Sequence, residues 1–146
     1  MKKNIFIKFI ITYFIIISSS LSLQTGYFEE GKKLYKKNKL KESKIFFEKD
    51  IVFNPESEKS YLYLAKIFNE NNNDQEQEVN LSNVLLLNPQ NDEAIYMLTL
   101  LKIKQSNYNE AAELISKFDL ICKSFCKKKT ELQEKFDKLI PSNDKN

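Results

Sequence analysis

Apolar residues recur along this chain at the spacing of helices. From Tyr27 onward they return every three or four residues, which places them on one face of a helix, and polar residues fill the positions between them. Only two Gly and three Pro interrupt the pattern, too few for a sheet protein built on tight turns. The pattern predicts an all-α chain whose helices are about 13 residues long and depend on neighbouring helices for stability.

Short polar segments separate the predicted helices. The turns are expected at Lys37–Lys39, Asn71–Asn73 and Gln105–Asn107. Two of the helices that follow carry the signal of a side-chain cap with a reciprocal partner three residues later. These pairs are Asp74 with Gln77, and Asn107 with Glu110. We therefore expect helices to begin at these two caps.

The same residue classes return with a period of about 34 residues. Pro55 and Pro89 lie one period apart, and each closes a helical apolar pattern. A small residue recurs in this frame at Gly31, Ala65 and Thr99, where two helices would have to approach closely. Larger apolar residues follow the frame at Tyr27, Tyr61 and Ile95 in the first helix of each unit, and at Phe47, Leu81 and Ile115 in the second.

This repeat resembles the tetratricopeptide family, whose motif combines aromatic, Leu and small residues in one helix with aromatic, Ala and Phe positions in the next. The first helix is matched by Tyr61, Leu64, Ala65 and Phe68, and the second by Tyr108, Ala111 and Ile115. Departures from the motif are Glu30, Asp50, Gln77 and Lys123. The resemblance implies a right-handed α-solenoid of about three helix hairpins.

The repeats are predicted to span residues 25–56, 57–90 and 91–122. The frame ends there, but apolar residues continue as one stripe on a further helix, predicted over 124–140 as a cap on the end of the stacked core. The stripe consists of Phe125, Leu132, Phe136, Leu139 and Ile140. Residues 141–146 are expected to form a polar tail.

Residues 1–22 have the pattern of a signal peptide. Lysines near the start precede an apolar run from Phe9 to Ile17, and a small-residue pattern follows at Ser20-Leu21-Ser22. The protein is therefore expected to be exported to the periplasm or cell envelope of a bacterium. The alternative is an uncleaved anchor over 5–23, which would be the chain's only contact with a membrane.

Charge and composition exclude several classes of function. Removing residues 1–22 takes away three Lys and no acid, so the formal charge of +3 falls to zero. His is absent, and with it the side chain best suited to acid–base chemistry and metal binding near neutral pH. Arg is absent too, which disfavours phosphate and base recognition. We expect neither an enzyme nor a nucleic-acid-binding protein, and no metal or cofactor.

In the resembled family the first helices line a concave groove that takes a peptide or a partner helix. The residues of this chain that the phase of the first helices places there combine apolar anchors with Lys, which fits a partner segment with apolar and acidic side chains. They are Phe28, Lys32, Tyr35, Lys36, Leu62, Lys66, Asn69, Tyr96, Leu100, Ile103 and Lys104. Alternatively, Phe28, Leu62 and Leu100 pack against neighbouring units or the last helix.

Cys122 and Cys126 are the only thiols of the chain. Residues four apart on a helix have Cα atoms about 6 Å apart, which permits a disulfide, especially where the segment bends. Free thiols, or a catalytic or metal-binding role, are the alternatives.

The leading interpretation of the whole sequence is a non-catalytic adaptor that binds another protein. The competing interpretations are a thiol-based redox protein or enzyme accessory, and a self-assembling structural module.

Overall fold

The computed structural model describes residues 26–139 and shows an all-α protein. Within this range there are seven α-helices, one short 3-10 helix and no strand. The α-helices are α1 (Gly26–Lys36), α2 (Leu40–Phe53), α3 (Glu58–Glu70), α4 (Asp74–Leu87), α5 (Asp92–Lys104), α6 (Tyr108–Ile121) and α7 (Lys129–Asp137). The predicted fold class is confirmed. The predicted signal peptide and the polar tail at 141–146 lie outside the described residues.

All three predicted turns are present, and they share one backbone geometry. The middle residue of each turn, Asn38, Asn72 or Ser106, has a positive φ between 53° and 59°. Asn adopts this left-handed conformation more readily than most residues. The three residues lie one period apart, so the repeat visible in the sequence is also a repeat of backbone conformation.

The helix caps differ in one place from the prediction. Asn107 caps α6 as expected, because its side chain accepts a hydrogen bond from the backbone N–H of Glu110. At α4, however, Asn73 accepts from the N–H of Glu76, and Asp74 is the first helical residue. The prediction for Asp74 was wrong by one position, because Asn73 caps equally well and its neighbour Asp74 pairs instead with Lys104.

Within the described residues the chain divides into two compact units, with the boundary between Ser60 and Tyr61. In the first unit, α1 and α2 approach closely at Gly31, where an added Cβ would lie 2.9 Å from the Phe47 ring. The Ser43 hydroxyl donates to the Gly31 carbonyl at 2.8 Å and links the two helices. Buried Asp50, one of the departures from the repeat motif, accepts hydrogen bonds from the hydroxyls of Ser57 and Ser60.

The second unit has two apolar clusters. One joins α3, α4 and α5 through Ala65, Leu81, Val84, Ala94, Leu98 and Leu101. The other joins α5, α6 and α7 and includes Ile95, Ala111, Ile115, Phe118, Leu132 and Phe136. The small residues predicted at helix crossings, Ala65 and Thr99, are both fully buried here.

The last helix is shorter than the predicted range 124–140. The chain bends after α6, a 3-10 turn follows at Cys126–Lys128, and α7 begins at Lys129. The bend contains a Cys122–Cys126 disulfide with a Cα–Cα distance of 5.1 Å. One carboxylate oxygen of Asp92 accepts the backbone N–H groups of three bend residues at 2.6–3.0 Å. Phe125 thus lies in the bend, and Leu139 is largely exposed, so neither belongs to a helical stripe.

Candidate binding groove of the second unit

A groove of about 330 Å³ lies on the surface of the second unit. Residues of α3, α4 and α5 line it, and their side chains combine apolar with polar and charged groups. They are Lys66, Asn69, Gln77, Glu93, Tyr96, Met97, Leu100, Leu101 and Lys104. Five of the residues predicted from the sequence meet in this groove, namely Lys66, Asn69, Tyr96, Leu100 and Lys104.

The two groove lysines already have carboxylate partners within the fold. Lys66 lies 2.8 Å from Glu93 and 5.0 Å above the Tyr63 ring, and Lys104 lies 2.6 Å from Asp74. The Lys104–Asp74 pair is the more exposed of the two and contributes little to stability, whereas the side chains of Lys66 and Glu93 are only about a quarter exposed. Both pairs nevertheless reduce the positive potential that the Lys residues alone would give, so an acidic partner would have to exchange these pairs for its own.

Tyr96 and Ile103 are buried in the core and are not exposed anchors. Only 9% of Tyr96 and 7% of Ile103 is exposed. The Tyr96 hydroxyl donates to Glu131 of α7 at 3.2 Å, and its ring packs against Phe118 and Phe125. The expectation that these side chains stand free for a partner is corrected, because the C-terminal segment covers them.

The contact between Tyr96 and Glu131 of α7 shifts the pKa values of both side chains. Burial, reinforced by the Glu131 carboxylate, raises the pKa of the Tyr96 hydroxyl. Hydrogen bonds from Lys128, Lys135 and Tyr96 lower the pKa of Glu131 from 4.5 to about 2. At neutral pH the hydroxyl is therefore a donor and the carboxylate an acceptor, which holds α7 against α5.

Leu62 and Leu100 are half-buried, which agrees with the alternative that these side chains pack within the protein. Leu62 packs against the cluster around Ala65, and Leu100 packs against the cluster around Ile95. Leu100 also lines the groove, so part of its side chain is available to a ligand. Of the predicted apolar anchors in this unit, Leu100 is the one that both is half-buried and lines the groove.

The predicted residues of the first unit lie on α1. Phe28 is half-buried, with its ring 5.8 Å from that of Phe47 in the same hairpin. Lys32 lies 5.8 Å above the Phe28 ring and 4.0 Å from Glu29. Lys32 and Lys36 line a shallow depression of this helix, whereas Tyr35 is half-buried.

Comparison with solved structures identifies the arrangement of helices. The tetratricopeptide repeat (TPR) domain of Arabidopsis OM64 matches 80% of this chain and 96% of its own, with a TM-score of 0.72 and 20% identity. The first TPR domain of Spaghetti (RPAP3), bound to the HSP90 peptide SRMEEVD, matches 80% of this chain and 92% of its own, with a TM-score of 0.70 and 16% identity.

This chain has the TPR fold. YrrB, described as a TPR protein with an unusual peptide-binding site, is a further neighbour with a TM-score of 0.66 and 16% identity, over 75% of this chain and 55% of its own. No family model and no curated protein matches the sequence. The repeat pattern of the sequence thus led to the correct fold, although identity to each of these structures is low.

One polar cluster of the TPR fold was not predicted. Lys102 of α5 is 6% exposed and lies 2.6 Å from Glu78 of α4 and 3.0 Å from Glu110 of α6. Burial disfavours the charged Lys102, but its hydrogen bonds to the two Glu outweigh this effect and raise its pKa. The sequence did hold a signal, because Lys102 lies seven residues after Ile95 on the buried face of the helix.

The described residues contain no group of three or more His, Cys, Asp or Glu side chains arranged to hold a metal ion. Both thiols are in the disulfide. Nor does any helix between residues 26 and 139 have the length and apolar character to cross a membrane.

Proposed function

We propose that this protein is a non-catalytic adaptor that binds a segment of another protein in the groove of its second unit. The observation that carries the proposal is the groove itself, in which the apolar side chains of Met97 and Leu100 line the same space as Lys66, Lys104 and Asn69. Apolar anchors desolvated by a partner supply most of the binding energy at such surfaces, while charged groups select orientation.

The partner segment that fits this groove is short, with an apolar side chain and at least one carboxylate. The apolar side chain would lie on Leu100, and the carboxylate would take the place of Glu93 or Asp74 beside a Lys. Two of the structural neighbours are described as peptide-binding, which supports the same mode of binding. The groove therefore supplies a position for a partner and contributes no reaction.

We further propose that the protein works in the cell envelope of a bacterium after export. The basic start, apolar run and Ser-rich end of residues 1–22 support export. A disulfide also fits an oxidising compartment better than a reducing cytosol. Cell fractionation with an antibody to the chain tests this proposal, and recovery of an unprocessed chain from the cytosol would contradict it.

Photo-cross-linking in living cells tests the groove. A photoreactive amino acid replaces Asn69, which is exposed within the groove, and in a control chain it replaces Gln133 on α7, which lies outside it. We expect a discrete cross-linked partner from position 69 and not from position 133. Equal cross-linking from both positions, or its absence from position 69, would contradict the proposal.

Variants of the groove then test its chemistry. Leu100→Ser removes one of the apolar lining side chains, and the double change Lys66→Gln with Lys104→Gln removes both cations. Each is expected to weaken binding of the purified partner by about tenfold or more, because about 1.4 kcal/mol of contact energy is lost. Unchanged binding by both variants would place the partner elsewhere on the molecule.

A further inference from the structure

The second helix of every hairpin exposes an apolar side chain at the same position of the repeat. Val52, Leu86 and Leu120 lie one period apart and are 75%, 79% and 87% exposed. They are the most exposed large apolar side chains between residues 26 and 139. Single exposed apolar residues are ordinary, but recurrence at one repeat position in three helices indicates a surface with a role.

On α4 this position belongs to an uncharged stripe. Val79 lies on the same face, seven residues before Leu86, and is 51% exposed. Ser82 and Asn83 lie between them. In α2 and α6 the residues corresponding to Asn83 are lysines. The α4 stripe, defined by Val79, Ser82, Asn83 and Leu86, is therefore the one free of charge.

The charge distribution on α4 disfavours a membrane surface or a strongly charged peptide as the binding partner of the stripe. Helix α4 has no Lys and has three acidic residues near its start, Asp74, Glu76 and Glu78, so it does not suit an anionic membrane surface. The uncharged stripe also has nothing to orient a strongly charged peptide. A second copy of the same helix, by contrast, presents apolar side chains at the same seven-residue spacing and places no charged side chain against the stripe.

We propose that the α4 stripe is a homodimer interface in which α4 packs antiparallel against α4 of a second copy. A two-fold axis between positions 82 and 83 places Val79 of each copy against Leu86 of the other, as an isologous interface requires. The small Ser82 at the crossing allows the helices to approach within about 8–10 Å. This interface is separate from the groove and does not depend on the function proposed for it.

Analytical ultracentrifugation tests the dimer. The full-length gene is expressed, and the protein is used in the form in which it is purified from the cells. From low micromolar to near millimolar concentration, the wild-type chain is expected to pass from monomer to dimer. Leu86→Lys buries a charge opposite Val79 of the other copy and is expected to weaken dimerisation about tenfold or more. Leu139→Lys is the matched control, because Leu139 is also exposed, at 47%, but lies on no repeat position of a second helix.

A thiol-specific cross-linker tests the antiparallel geometry. Ser82→Cys is expected to give a cross-linked dimer, whereas Thr130→Cys, exposed on α7, is expected to give none. The bonded Cys122 and Cys126 do not react with the reagent. A monomer at all concentrations, a dimer unaffected by Leu86→Lys, or equal cross-linking of the two variants would each overturn the proposal.

Discussion

At the level of single residues, the first unit depends on the absence of a side chain at Gly31. The Phe47 ring is fully buried there and would lie within 3.0 Å of an added Cβ at two of its atoms. A ring held on all sides cannot move away as the end of a flexible chain could. The small residue that recurs at this repeat position is therefore set by packing in this unit.

Gly31→Ala is expected to destabilise the chain despite the better helix propensity of Ala. Overpacking costs about 1–3 kcal/mol, and the gain in propensity offsets about 1 kcal/mol of it, so a net loss of up to about 2 kcal/mol is expected. Gly26→Ala is the control, because nothing lies within 4 Å of its added Cβ. Urea denaturation followed by circular dichroism measures both, and equal stability of the two variants would contradict this account.

Lys102 is the second residue whose replacement tests the packing. Lys102→Ala leaves Glu78 and Glu110 without their shared cation, and because both Glu are partly solvated we expect a loss of about 1–2 kcal/mol. Lys102→Met keeps most of the volume and is expected to recover part of it. The same denaturation measurement applies. A Lys102→Ala variant as stable as the wild type would show that the cluster has no structural importance.

At the level of elements, α7 is held by contacts that depend on pH. Glu131 receives Lys128 at 2.6 Å, Lys135 at 3.0 Å and the Tyr96 hydroxyl at 3.2 Å. Its pKa in the folded chain, about 2, is below the ordinary 4.5. A lowered carboxylate pKa means that the stabilisation is complete above about pH 4.5 and is lost as the pH falls toward 2.

We therefore expect Tyr fluorescence and near-UV circular dichroism to report loosening of α7 as the pH falls from about 4.5 toward 2. Glu131→Gln should remove most of this transition, since the amide has no proton to gain in that range. Glu134→Gln on the same helix is the matched control and should leave it in place. Identical acid transitions in all three chains would assign the effect to other carboxylates, such as Asp92.

The sequence predicted those elements whose signals are local. The repeat frame, the turns at Asn38, Asn72 and Ser106, and the cap at Asn107 follow from short-range chemistry, and each is present. The last helix was misplaced at its start because the bend before it depends on Asp92, which lies at the start of α5, and on the disulfide. The spacing of Cys122 and Cys126 permitted the disulfide, but no pattern within residues 122–129 reveals the contact with Asp92.

The candidate site was predictable only in part for the same reason. Helical phase placed Lys66, Asn69 and Lys104 on one surface, and the structure brings them together in one groove. Phase could not show that Tyr96 is covered by α7 or that both groove lysines have internal partners, since these contacts join separate elements. The apolar pattern of one helix does not show whether a later segment of the chain covers its surface.

At the level of the whole molecule, binding is assigned to the groove of the second unit and dimerisation to the α4 stripe. The two surfaces share no lining residue, so a change in one is expected to leave the other intact. Leu86→Lys should thus give a chain that still binds the partner, and Leu100→Ser one that still dimerises.

The most direct test of the central claim is a nuclear magnetic resonance titration of the isotope-labelled chain with the partner segment recovered by cross-linking. The account predicts that amide shifts change at Lys66, Asn69, Met97 and Leu100 and stay constant along α4 at Ser82 and Leu86. Changes that centre on the α4 stripe or on α7 and leave the groove residues unaffected would contradict it.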